Sequence, residues 1–431
     1  MTSPHKSNLS IPGPEVIQRY QLPNDITVLC MENSSSASIN IIGLLKASSK
    51  NDPPSKLGLA DFTASMLSRG TQNRSFLQIH HLLESAGGSL SFSASAQNTW
   101  FSGKALAEDL PMLLELTADC LIQPIFPLEY TERIRTQILS SLAIREQDTG
   151  DRSSMALDKI LFPNHPFGEP TDGYPDTIQA ITREDLVNFH HLYYGPAGMI
   201  LAIVGGIKPE EAYQLVSQYF EKWKTTFEKT PILPEVKPLE KTVRQHIEIA
   251  EKTQTDILIG SLGPARKSQD FLPVYLGNDI LGQFGMLGRI GEVVRVKAGL
   301  AYYAGSSVNS WLEGGDWEFM AGVNPKNTEK AIELIKQEIS KFISEPVIKQ
   351  ELSDSKSHLT GRLALSLESN SGLANAILTM EHFKMGLDYY QRYPKLINSI
   401  SAEQILESSR HYLDIERLAI VSAGTSPKGE F

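Results

Sequence analysis

The chain has 431 residues, a formal net charge of −10, 41% hydrophobic and 21% charged residues. This length calls for at least two domains, and the composition is that of a soluble globular protein. The acidic balance argues against nucleic acid or anionic membrane as a partner, since both favour basic surfaces. Two cysteines, Cys30 and Cys120, each in an apolar run, exclude a disulfide framework and read as buried free thiols.

The opening MTSPHKSNLSIPGPEV has no apolar core and no cleavage-site pattern, and no apolar stretch reaches the ~18 residues of a membrane span. A soluble, cytoplasmic protein is expected. Alternation in QLPNDITVLCMEN predicts a strand and turn, and SINIIGLLKAS a second strand. Helical periodicity follows in LADFTASMLSRG, SFLQIHHLLESAGG and DLPMLLELTADCLIQP, with the hairpin SLSFSASAQNTWFSGKAL between the last two.

The chain then repeats itself. Residues 181–206, ITREDLVNFHHLYYGPAGMILAIVGG, and 400–424, ISAEQILESSRHYLDIERLAIVSAG, share a Thr or Ser N-cap, an amphipathic helix, a tyrosine, a short turn and the strand LAIV. The hydroxyl cap accepts from free amides of the first helical turn. Between the copies, residues 224–241 carry three prolines and many charges, as an exposed linker would. The second half keeps the rhythm, with strands in TDILIGSL, AYYAGSSV and DWEFMAGV and helices in FLPVYLGNDILG and TEKAIELIKQEISKFI. An α+β fold is expected, with two tandem homologous halves, 1–223 and 242–431, each a largely antiparallel sheet packed with helices.

The opening YQLPNDITVLCMENSSSASINIIGLLKASSKNDPPSKLGLADFTASMLSRGT, together with FPNHPFGEPTDGYPDTI at 162–178, resembles the pitrilysin and mitochondrial-processing-peptidase family, especially its short bacterial members. The resemblance runs from about residue 18 to the end. It implies two similar halves, and a complete peptidase built from four such halves as a clamshell around a peptide. Active members of that family carry His-x-x-Glu-His after the Gly-Leu-Ala of the first helix. The histidines hold zinc and the glutamate is the general base. Here Asp61, Ala64 and Ser65 stand at those positions, and Ser140 with Ser141 where a further glutamate ligand is expected. Asp61 could in principle ligate a metal, but Ala64 cannot act as a base and Ser65 is a poor zinc ligand.

Two decoys stand elsewhere. His81 and Glu84, followed by Ser85, fall downstream of the matching site, and Glu381 with His382 has Leu378 where the first histidine belongs. His80, His165, His190, His191, His358 and His411 show no mutual ligand spacing. No metal is expected in this chain.

FGMLGRIGEVVRVKAGLAYYAGSS resembles the family segment whose arginine and tyrosine, seven residues apart, face the active site from the other half; Arg295 and Tyr302 match. The resemblance gives them the roles of binding the substrate backbone and stabilising the oxyanion, which a fixed guanidinium and a phenol suit. Read without the resemblance, Arg295 would pair with a neighbouring carboxylate and Tyr302 would fill a half-buried strand position. Gly282, Gly285 and Gly288 lack the spacing of a phosphate loop and predict a flexible turn where substrate backbone approaches closely.

The expected function is a zinc-lacking subunit of a heterodimeric metallopeptidase. A zinc-bearing paralogue would be its partner and a peptide its substrate, with Arg295 and Tyr302 completing the partner's site. A homodimer is a possible form in isolation. The competing expectations are a peptide-binding or structural scaffold of the same fold, and an active homodimer with metal bound elsewhere.

Overall fold

A computed structural model describes residues 11–224, 233–283 and 288–426. The fold is mixed α+β and divides into two compact units. The first is built on six strands, β1 (Ile17–Gln21), β2 (Thr27–Glu32), β3 (Ser38–Leu45), β4 (Ser89–Ala94), β5 (Thr99–Leu106) and β6 (Ile200–Gly205). Their order across the sheet is β1-β2-β6-β3-β5-β4, antiparallel except where β2 and β6 run side by side. The second is built on β7 (Val243–Glu248), β8 (Thr255–Leu262), β9 (Ala301–Ser310), β10 (Gly315–Val323) and β11 (Ala419–Gly424). Its order is β7-β11-β8-β10-β9, again with one parallel pair, β7 with β11.

The two orders superpose strand for strand if β2, β6, β3, β5 and β4 are matched to β7, β11, β8, β10 and β9. The duplication read from the LAIV repeats is therefore present in the sheet topology. The capped helices that precede those repeats are also present. Thr182 Oγ1 accepts from the Asp185 amide at 3.2 Å ahead of helix Arg183–Tyr193, and Ser401 Oγ accepts from the Gln404 amide at 3.2 Å ahead of helix Ala402–Tyr412. β6 and β11, which follow them, are central and almost wholly buried, as continuous apolar runs require.

The units are not the contiguous halves 1–223 and 242–431 of the sequence. The first comprises residues 1–139, 171–231 and 361–394, and the second 140–170, 232–360 and 395–431. Helix Thr149–Leu161, from the first half of the chain, packs on β8 and β11 of the second unit. Its Leu157 is fully buried there against Gly260, whose missing side chain leaves room for it. Helix Asn370–His382, from the second half, packs on β3 and β6 of the first unit. It is tied down by Asn370 Nδ2 donating to the Ser38 carbonyl at 2.8 Å and by Arg19 donating to Glu381 at 2.9 Å. Of the linker 224–241, residues 225–232 lie outside the described residues, and 233–241 form no helix or strand.

Both cysteines are buried and free, and burial pushes each thiol up to about 12. Among the described residues no helix is long and apolar enough to cross a membrane.

Leu157→Ala should cost about 2–5 kcal/mol of stability. By hydrogen exchange the lost protection should fall on β8 and β11, although residue 157 belongs to the first half of the sequence. Loss confined to β3 and β6 would contradict the packing described here.

Candidate functional site

The helix Leu59–Met66 begins at Gly58, whose φ of +95° suits glycine alone. A Cβ at Gly58 would meet Ile178 Cδ1 at 2.6 Å and the Asp172 carbonyl at 2.9 Å. The half-buried Asp52 carboxylate caps the helix, accepting from the Gly58 and Ala60 amides at 2.9 Å each. Burial pushes its carboxyl up to about 8 against the pull of those amides. Ala60, Phe62, Ala64 and Met66 are buried, so Asp61 and Ser65, four residues apart, share the one partly open face.

That face is not a metal site. Burial, then the charge of Asp172, pushes the Asp61 carboxyl up to about 6, with the Ala94 amide of β4 pulling the other way. Ala64, 1% exposed, carries no proton-accepting group, and Ser65 offers only a hydroxyl. Ser140 and Ser141 stand exposed on helix Leu128–Arg145. Among the described residues no three His, Cys, Asp and Glu side chains group so as to hold a metal ion. Four of the histidines have local hydrogen-bond partners instead. His190 Nε2 bonds the Leu121 carbonyl at 2.8 Å, and burial lowers that imidazole to about 4. His165 Nδ1 accepts from the Phe167 amide at 3.1 Å, while His358 and His411 meet Asp279 and Asp270 at 2.9 and 3.2 Å. Glu381 is taken by Arg19, and the His382 ring packs edge-on against Trp100. Zinc does not fit the residues present.

Arg295 and Tyr302 belong to the second unit and lie at the two ends of one short turn. Residues Gly291–Lys297 wind as a π-helix, with the Ala298 amide donating to the Val293 carbonyl at 3.2 Å. The chain reverses through Gly299, at φ +64°, and closes with the Leu300 amide on the Val294 carbonyl at 3.0 Å before entering β9. π-Turns are rare and recur at functional sites. Arg289, at the start of the segment, is held by Glu351 through two bonds of 2.8 and 2.7 Å. Arg295 is exposed and has no partner among the described residues, and Tyr302 is 73% exposed with its hydroxyl likewise unbonded. Neither the ion pair nor the half-buried position considered from sequence is found.

The glycines ahead of this turn serve the protein's own packing. A Cβ at Gly282 would lie 2.3 Å from the Ser306 amide nitrogen of β9, and one at Gly288 would lie 2.8 Å from Gly282 Cα. The close approach expected of a substrate backbone is made at Gly282 by β9 instead; Gly285 lies outside the described residues. Sequence reasoning also missed Tyr303, whose hydroxyl donates to the buried Asp256 at 2.5 Å. In the first unit a cleft of about 510 Å³ is lined by serines of β3, β4 and β5 and by Ser369, Asn370 and Ser371. None of the site residues expected from sequence lines it.

The sequence matches the family description Insulinase (Peptidase family M16) over residues 28–173 and the description Peptidase M16 inactive domain over 180–359. An uncharacterized zinc protease of Streptomyces coelicolor is 25% identical over 371 residues, covering 85% of this chain and 80% of the relative. The mitochondrial-processing peptidase subunit beta of Saccharomyces cerevisiae is 26% identical over 388 residues, covering 85% and 81%. Among solved structures, a peptidase M16 inactive domain from Pseudomonas fluorescens is similar in fold, at 24% identity and a TM-score of 0.88 over 96% of this chain and 99% of that one. A protease from Helicobacter pylori gives a TM-score of 0.89 at 20% identity over 96% and 100%.

The raised carboxyl of Asp61 sets a pH dependence. The folded state holds this proton more tightly than the unfolded chain does. The penalty for ionising it therefore grows as pH rises from about 3.8 to about 6 and is complete above that. Asp61→Asn should leave stability unchanged below pH ~3.8 and raise it at pH 7–8, read as the urea midpoint at each pH. Equal midpoints for the two proteins at pH 8 would show that the carboxylate bears no burial penalty.

Proposed function

From the premise that the chain belongs to the insulinase family of peptidases, M16, we propose that it is the zinc-lacking subunit of a two-subunit peptidase. Its partner is a paralogue with an intact His-x-x-Glu-His site, and its own contribution is the Arg295–Tyr302 pair. One observation carries this reading. The first helix carries no histidine and no glutamate, only the lone carboxylate of Asp61 beside Ala64 and Ser65, while an arginine and a tyrosine on one closed turn stay exposed and, among the described residues, unbonded. An exposed, unpaired guanidinium and phenol add little to the stability of their own chain. Their value lies in what they meet from outside.

The partner supplies the metal and the attacking water. This chain's residues act on the peptide. The Arg295 guanidinium, a planar fork of fixed charge, suits the carbonyl oxygens of an extended backbone. The Tyr302 hydroxyl is a single donor that can follow a carbonyl oxygen as it gains negative charge during attack. Donors aimed at that developing charge lower the barrier without having to reorganise. Peptide would be the substrate class, bound in the cytoplasm, and no cofactor is needed from this chain.

Hydrolysis of a quenched fluorescent peptide tests the proposal, using this chain with zinc, the paralogue alone, and the two mixed. The chain alone should be silent, and mixing should raise cleavage strongly. Arg295→Ala should then remove roughly 10²–10³ of the gain, the usual cost of one oxyanion donor. Activity of the chain alone that a chelator abolishes would sink the proposal. A full gain with Arg295→Ala would leave a scaffold of the same fold as the better reading.

A further inference from the structure

The start of β9 breaks the rule of alternation. Going down the β9–β10 ladder, Ala304 faces Ala321 and Tyr303 faces Gly322, but the next pair is Ala301 with Val323. Tyr302 is an extra residue, a β-bulge with no partner across the ladder. In a regular strand neighbouring side chains point to opposite faces, and a bulge re-aims one of them. Here Tyr302 and Tyr303 are exposed by 73% and 39%, one after the other.

The second tyrosine is pinned. Its hydroxyl donates to Asp256 Oδ1 at 2.5 Å, and the same oxygen accepts from Gln254 Nε2 at 2.9 Å. The other oxygen of Asp256 accepts from the Thr149 hydroxyl, at the first turn of helix Thr149–Leu161. Asp256 is 4% exposed, so its charge is held by these three donors rather than by water. Burial and the Asp256 charge both push the Tyr303 phenol well above its ordinary value, which keeps it a donor. Across the ladder stands Gly322. A Cβ there would lie 2.4 Å from Tyr303 Cε1, 2.9 Å from Gln254 Nε2 and 3.0 Å from Asp256 Oδ1. Only a residue without a side chain lets the ring lie over β10 to reach the carboxylate.

We propose that Tyr303, anchored on Asp256 and seated over Gly322, is a positioning residue that fixes the bulge and so presents the Tyr302 phenol, at the other end of the turn from Arg295, to peptide in the partner's site. A strand with a bulge can shed it by a one-residue slip, and such a slip turns side chains to the other face. The Tyr303–Asp256 bond is adjacent to the extra residue and would have to break in that slip, so it holds the register where it matters. The inference rests on the function proposed above for Tyr302.

The test is the mixed peptide assay with zinc and the paralogue, run on paired variants. Tyr303→Phe should lower kcat by roughly 10- to 100-fold with little change in KM, as misplacement of a catalytic donor does. Asp256→Asn, whose amide oxygen can still accept from the phenol, should retain most of the activity. Gly322→Ala should reproduce the Tyr303→Phe loss. The decisive readout is non-additivity. Added to Tyr302→Phe, the Tyr303→Phe change should cost less than about twofold more, because the group it positions is already gone. The same loss in both backgrounds, or none in either, would overturn the positioning role while Tyr302→Phe still lowers activity. If Tyr302→Phe and Arg295→Ala both leave cleavage intact, the underlying function fails and this inference with it.

Discussion

A β-sheet with two apolar faces has to be covered on both, and in this chain neither contiguous half contains all of its own cover. Helix Thr149–Leu161 closes the sheet of β7 to β11, and helix Asn370–His382 closes the sheet of β1 to β6. The two helices hold corresponding places, each lying ahead of its own copy's capped helix and central strand. The chain therefore passes from one unit to the other five times. Everything described for the site is hung on sheets completed in this way. Thr149, at the head of the exchanged helix, is one of the three donors that hold Asp256.

The two units have kept different things. On helix Leu59–Met66 the architecture survives intact, with Gly58 at positive φ, Asp52 capping, and two residues four apart on an open face. The side chains on that face are Asp61 and Ser65, with no histidine and no glutamate among them. The π-helix and bulge around Arg295 and Tyr302 are the reverse case. A π-turn and an extra residue in a ladder each give up regular hydrogen bonding relative to helix and strand, and Gly299 supplies the left-handed turn between them. They bring no burial to either side chain in return.

Much of this was legible in the sequence because it depends on neighbours in the chain. The hydroxyl caps at Thr182 and Ser401, the period-two strands and the LAIV repeats are local signals, and the topology carries all of them. That Asp61, Ala64 and Ser65 stand in place of a His-x-x-Glu-His motif could be read only against the family the opening segment resembles. The exchange of helices was not, since an amphipathic face states only that it must be buried and not against which sheet. Gly282 was legible as a close approach but not as an approach of β9. The bulge left one trace, a glycine inside the strand DWEFMAGV opposite the second of two adjacent tyrosines. Isolated strand glycines often mark such places.

The exchange of helices also decides how this chain can be recombined. Residues 224–241 look like the natural seam, yet a chimera crossing over there would join one parent's first half to another parent's second half. Leu157 from one parent would then press on Gly260 from the other, and Ile377 on a foreign β3 and β6. Both sheets would be mismatched at once. Cores packed to crystal density tolerate such mismatches poorly. Crossovers that keep each sheet with its own cover need paired breakpoints flanking 140–170 and 361–394 in addition to the one in the proline-rich seam.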